Sequence, residues 1–187
     1  MPAKPSQAVA VVAGGCFWGI EAVYRHTRGV TQAVSGYAGG TAETAKYQIV
    51  SSGLTDHAES VEVTYDPSVI TYDQILKIFF TVAHDPTELD RQGPDVGRQY
   101  RSAIFAVDQE QERIARAYVA QLNRDKAYAT PVVTEVVPLT RFYAAESYHQ
   151  NYAALHPDEM YIRVNDAPKV VRLREAFPDW FVADKSQ

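Results

Sequence analysis

The chain opens with an unbroken apolar run, Ala8 to Ala13, short and rich in valine, which is the pattern of a buried strand. From Gly19 to Thr27 the period changes. Ile20, Val23, Tyr24 and Thr27 recur on one helical face, and Gly29 follows as a stop. Val30 to Tyr37 suits a second strand, closed by Gly39-Gly40, and Thr41 to Asp56 reads as an irregular insertion. Ala58 to Tyr65 alternates through Val61, Val63 and Tyr65 until Asp66-Pro67 ends it. Thr71 to Ala83 is a strong helical pattern whose Thr71-x-x-Gln74 start has the form of a capping box. Pro86, Gly93, Pro94 and Gly97 make His84 to Arg98 a loop, of a length that is usually either functional or disordered in a compact domain. Ser102 to Val107 predicts a strand, Asp108 to Lys126 an amphipathic helix, and Val132 to Leu139 a further strand. Ala144 to Leu155 predicts a short helix, and the tail beyond Pro157 has a mixed pattern.

The order is β-α-β, insertion, β-α, loop, β-α-β. It predicts an α+β fold: a ferredoxin-like α/β plait, a two-layer sandwich on a mixed sheet, with long loop insertions and an irregular C-terminal tail. No repeat, low-complexity segment or linker divides the chain. The expectation is one domain over residues 1–187, with a core at about 8–157 and an extension at 158–187.

Composition narrows the function classes. A net charge of −5 disfavours a nucleic-acid surface. Apolar runs are too short to span a bilayer, and Met1 to Gln7 lacks the long apolar segment of a secretory signal. One cysteine rules out an internal disulfide and a CxxC zinc site, which points to a thiol-reducing, cytoplasmic setting and to no bound metal.

That cysteine lies in Gly14-Gly15-Cys16-Phe17-Trp18-Gly19, between a strand and a helix. A helix N-terminus favours negative charge, so Cys16 is expected to have a lowered thiol pKa. Phe17 and Trp18 suggest an apolar pocket beside the sulfur. A lone cysteine is more often an inert core filler, so partners decide the matter. Pairing with a histidine (His26, His57, His84, His149 or His156) would make a protease-like centre. Glu59 offers different chemistry. A carboxyl group in an aromatic pocket holds its proton near neutral pH and can deliver it to an oxygen while a thiolate attacks the adjoining atom. Tyr47 and Tyr100 can donate hydrogen bonds to that oxygen. Left to local context, Glu59 is a strand-edge carboxylate and Asp95 a turn residue after Pro94.

Gly15-Cys16-Phe17-Trp18-Gly19 resembles the signature of the A-type peptide methionine sulfoxide reductases. Gly36-Tyr37-Ala38-Gly39-Gly40 is similar to the family's GYxGG run. Tyr47 with Val50, Gly53 and His57-Ala58-Glu59, the stretch Gly93 to Ser102, and Tyr148-His149-Gln150-x-Tyr152 follow in the family's order. The resemblance implies reduction of methionine-S-sulfoxide, free or in peptides and proteins. It assigns Cys16 as nucleophile, Glu59 as acid, and Tyr47 and Tyr100 as oxygen binders. Phe17 and Trp18 would hold the substrate methyl group, and Asp95 would help position substrate or a water. Attack would leave a sulfenic acid on Cys16, the reversible first rung of thiol oxidation. Family members often carry a resolving cysteine where this chain has Ser51, or in the tail, which here has none. The implied reductant is therefore an external thiol: thioredoxin, glutaredoxin with glutathione, or a small dithiol, with no bound cofactor and a monomeric enzyme. The alternatives are a one-cysteine peroxidase and a redox sensor or peptide-binding module.

Overall fold

The computed structural model describes residues 6–183. Residues 1–5 of the N-terminal stretch and 184–187 of the extension lie outside the described residues. The elements, in chain order, are β1 (Ala8–Gly14), α1 (Phe17–Arg25), β2 (Val30–Ala38), α2 (Tyr47–Val50), β3 (Ala58–Tyr65), α3 (Tyr72–Ile78), β4 (Arg91–Gln92) and β5 (Asp95–Val96). They continue with β6 (Ser102–Ala106), α4 (Gln109–Arg124), β7 (Glu135–Pro138), β8 (Phe142–Ala144), α5 (Tyr152–Leu155) and α6 (Ala167–Ala176).

The main sheet runs β7-β6-β1-β3-β2-β8. Its middle, β6-β1-β3-β2, is antiparallel throughout and has the strand order of a ferredoxin-like plait. Each crossover helix skips one strand position and leaves room for the strand that later fills it. A parallel β7 on one edge and an antiparallel β8 on the other make the sheet mixed. Alternation sets the two faces. Ala10, Val12, Val61, Val63 and Ile104 point to one side, where α1, α3 and α4 bury Ile20, Val23, Ile75, Leu76 and Ala115. Val11, Ala13, Ala58, Ala103 and Phe105 point to the other, a thinner and mostly alanine-lined face.

Local chemistry explains the boundaries. The Thr71 hydroxyl accepts the Gln74 N–H, and the Gln74 side chain accepts the Thr71 N–H, so the capping box is complete. The helix it starts changes to a π-helical segment at Phe79–Ala83. Asp108 caps α4 by accepting the Gln111 N–H.

Four segments differ from the sequence expectation. The helix expected over Ala144 to Leu155 does not form as one piece. The Ala145 N–H goes to the Ser35 carbonyl, and the Gln150 side chain both accepts from the Ser35 N–H and donates to its carbonyl. These bonds to β2 hold Phe142–Ala144 as strand β8, and only a 3₁₀ turn and the short α5 remain helical. The strand expected from Val132 begins at Glu135. The loop His84 to Arg98 contains the β4-β5 hairpin, and the insertion contains α2. Within the extension, a π-helical segment, Ile162–Asp166, leads into α6, and Leu173 is fully buried.

Candidate active site

Strand β1 delivers the chain to Gly15, whose φ of 98° is a left-handed conformation that side-chain-bearing residues rarely adopt. The turn places Cys16 at the N-cap of α1, with its side chain 8% exposed. Sequence reasoning expects a lowered thiol pKa there. The structure gives the opposite: burial pushes the Cys16 thiol well up, and the carboxyl groups of Glu59, Asp166 and Asp95 add to it, while the Trp18 backbone N–H pulls it down. Desolvation of a sulfur anion outweighs the helix end.

Glu59 projects from β3 beside that helix end. Its Oε1 accepts the Phe17 N–H at 3.3 Å, so the carboxyl group meets the first backbone donor after Cys16. The residue is 1% exposed. Burial holds its pKa up to about 8, Phe17 opposing and Asp95 assisting. At neutral pH the carboxyl group therefore retains its proton.

Tyr47 begins α2, and Glu146 fixes it by accepting its backbone N–H at 3.1 Å. Burial, with Glu59 and Cys16, pushes the Tyr47 phenol up to about 12. Tyr100, at the end of the 3₁₀ turn before β6, is pushed up by burial and then by Glu59, Asp95 and Cys16. Both phenols keep their protons and remain donors. Both titrate in the field of Glu59 and Cys16, as partners around one centre do.

The aromatic residues after Cys16 divide. Phe17 is fully buried against Tyr37 and His149 and forms the floor. Trp18 is half-buried. It stacks on Tyr152 with ring centroids 3.9 Å apart, meets Tyr161 edge-on, and donates its indole N–H to His149 Nδ1 at 3.1 Å. Asp95, on β5, accepts the Tyr161 hydroxyl. Cys16 opens into a cavity of about 80 Å³ lined in part by Gln92, Asp95, Tyr161, Asn165 and Lys169. Glu59, Tyr47, Tyr100, Phe17 and Trp18 stand around Cys16 but do not line that cavity.

Among the described residues, no histidine hydrogen-bonds Cys16. His57 is spent on the Gly40 N–H and the Thr41 carbonyl. His84 contacts the Phe79 carbonyl and the Ser102 hydroxyl, and burial pulls its pKa down to about 4, so it is a neutral structural residue. The protease-like pairing has no geometry here. No cluster suited to a metal ion occurs among the described residues, and no described helix is long and apolar enough to cross a membrane.

Sequence reasoning missed Tyr161, Asp166 and Lys169, because the tail has a mixed pattern. Their only signal is the i,i+3 spacing of Asp166 and Lys169, which exposed ion pairs share. His149 and Tyr152 stand in a motif the sequence did display, without a role.

A buried thiol at a helix start, a protonated carboxyl group within reach and two phenol donors define a thiol oxidoreductase site. The chain belongs to the peptide methionine sulfoxide reductase family, whose model matches residues 8–180, and it is of the A type. It is 51% identical over 176 residues to peptide methionine sulfoxide reductase MsrA 2 of Mesorhizobium japonicum, covering 94% of this chain and 90% of that protein. The reduced form of Mxr1 from Saccharomyces cerevisiae superimposes with a TM-score of 0.77 at 34% identity, over 85% of this chain and 90% of that one. Mxr1 in complex with Trx2 is also similar, with a TM-score of 0.55 at 26% identity, over 82% and 88% of the two chains. The chain is thus an enzyme that reduces methionine sulfoxide.

Proposed function

We propose that the reaction is selective for the S epimer of methionine sulfoxide, and that Cys16, Glu59, Tyr47 and Tyr100 carry it. The Cys16 thiolate attacks the sulfoxide sulfur. Glu59 gives its proton to the oxygen, and the two phenols hold that oxygen by hydrogen bonds. Thiolate, sulfoxide and one proton yield methionine and a Cys16 sulfenic acid, so the oxygen passes from substrate to enzyme. Trp18, with Tyr152 and Tyr161 beside it, forms the wall for the methyl group, Phe17 its floor, and Asp95 positions the substrate. Methyl, oxygen and peptide chain then occupy three fixed directions, which is what separates epimers.

The observation that carries this reading is the Glu59 carboxyl group, buried and bonded to the backbone N–H next to Cys16, where burial holds its pKa up to about 8. Burial of the carboxyl group also removes a negative charge from beside the nucleophile, since the neutral acid does not repel a thiolate.

No second cysteine exists to attack the sulfenic acid. One external thiol forms a mixed disulfide and releases water, and a second regenerates the Cys16 thiol. Mxr1's complex with Trx2 supports thioredoxin as that reductant. Glutathione with glutaredoxin, or a small dithiol, satisfies the same stoichiometry. We take residues 8–180 to be one catalytic unit acting as a monomer, with the extension as part of it.

Without reductant, excess racemic methionine sulfoxide is expected to give one methionine per chain, from the S epimer alone, and a mass gain of one oxygen on Cys16. Cys16→Ser should give none. Loss of both epimers, or turnover by Cys16→Ser, would refute the assignment.

A further inference from the structure

Two carboxyl groups near Cys16 disfavour its anion, Asp95 from the β4-β5 hairpin and Asp166 from the segment before α6, and Glu59 from β3 joins them once it loses its proton. The phenols of Tyr47, Tyr100, Tyr152 and Tyr161 complete the titratable groups that sense it. One cation faces the same cavity. Lys169, on the first turn of α6, lines it together with Cys16 and is 8% exposed. A buried ammonium is costly unless a charge compensates it.

The fold places this cation deliberately close to the nucleophile's helix. Gly19, in the first turn of α1, has no side chain, and a β-carbon there would lie 2.4 Å from Asp166 Oδ1 and 3.0 Å from Lys169 Nζ. The Asp166–Lys169 pair therefore rests directly on the turn that begins at Cys16. The π-helical segment Ile162–Asp166 brings it there, and such segments often mark functional positions.

The pair is not closed on itself. Asp166 is fully buried, both its carboxyl oxygens lack a hydrogen-bond donor among the described residues, and Lys169 Nζ lies 3.9 Å from Oδ1. That distance holds the ammonium by charge but leaves its N–H groups free for another acceptor. Around Lys169 the other charged and titratable groups are Arg172 on its own helix, Asp95, and His84, which stays neutral near pH 7.

We propose that Lys169 is the counter-cation of the Cys16 thiolate, and that Asp166 holds it in place. The proposal rests on Cys16 being the reactive thiol, and it adds a positioning residue that the comparisons do not assign. Lys169 stabilises the anion that burial and the charges of Asp166 and Asp95 oppose. The sulfur can then ionise in a closed site without a histidine.

The test uses alkylation of the full chain by iodoacetamide, which reads Cys16 alone because no other cysteine is present. In Lys169→Met the apparent thiol pKa should rise by about one unit, with a roughly tenfold slower reaction near neutrality. Lys169→Arg should keep the wild-type profile. Lys169→Gln, which leaves Asp166 a hydrogen-bond donor, should behave as the Met variant does and serves if that variant fails to fold. A folded Met or Gln variant with the wild-type pH profile would overturn the proposal. Alkylation needs no turnover, so this result is independent of whether Cys16→Ser retains reductase activity, which alone would overturn the nucleophile assignment.

Discussion

Glu59 carries two opposed consequences of burial. With its pKa at about 8, the carboxyl group is an acid through the neutral range and loses that role as pH rises through about 8. The wild-type kcat should therefore fall on the alkaline side. Glu59→Gln should lower kcat by roughly 100-fold or more and remove that alkaline limb, with a much smaller change in KM. Steady-state rates from acid to alkaline pH check both. The same raised pKa weakens the fold as pH rises. The unfolded carboxyl group ionises near 4.5, so between that value and about 8 the unfolded chain releases a proton that the folded chain keeps. Stability is full below the lower value and falls as pH rises through the upper one. Gln has no such loss and can still accept the Phe17 N–H. Its melting temperature should exceed that of the wild type at pH about 8, and the two should converge near pH about 4. An active-site substitution that kills activity while raising stability is the mark of a strained functional group. The sequence did point to Glu59 as an acid, through an expected aromatic pocket. It could not show that Cys16, also buried, would have its pKa pushed up, because carboxyl groups distant along the chain cause part of that shift.

At the scale of elements, periodicity was reliable where packing agreed with it. Ala58 to Tyr65 has the expected bounds because its alternation, Val61 and Val63 against Ser60 and Glu62, matches a sheet with one well-filled face. The Thr71 box formed because both partners lie within one helical turn. Ala144 to Leu155 misled because its alanines favour a helix locally, whereas Ser35 and Gln150, 115 residues apart, supply hydrogen bonds that favour a strand. Gly19 shows the same contest in a single residue. Alanine in a helix is favoured over glycine by about 1 kcal/mol. Here its β-carbon would meet the Asp166 carboxyl group at 2.4 Å, with Lys169 behind it. The clash should win, because the Asp166 carboxyl group is fully buried and 2.4 Å is far inside contact distance, so the pair must shift. Gly19→Ala is expected to destabilise by about 1–3 kcal/mol, measured by urea unfolding, and to slow turnover by displacing the lysine.

Over the whole molecule, the division into a core at 8–157 and an appended tail is where sequence and function part. The tail crosses the length of α1. At the helix start, Asp166 and Lys169 rest on Gly19. At the helix end, the Arg28 N–H donates to the Trp180 carbonyl and the Val182 N–H to the His26 carbonyl, while Phe181 stacks on the His26 ring. Leu173 is buried between these points in the same cluster as Phe17 and Ile20. A mixed polar pattern hides this arrangement, because the tail packs through few apolar residues and through charges seated on another helix. The two attachments should be separable. A chain ending at residue 176 keeps Tyr161, Asn165 and Lys169 and loses the clamp on the far end of α1 together with the Phe177 packing beside it. It should unfold at a lower temperature and retain most of its turnover. A chain ending at residue 160 loses the wall of the Cys16 cavity as well, and its turnover should fall by about 100-fold or more even where circular dichroism shows the sheet intact. Equal turnover in the two truncations would mean that the tail only stabilises the fold. A loss confined to the shorter chain places part of the reaction centre in the last thirty or so residues, on the segment the hydrophobic pattern describes least.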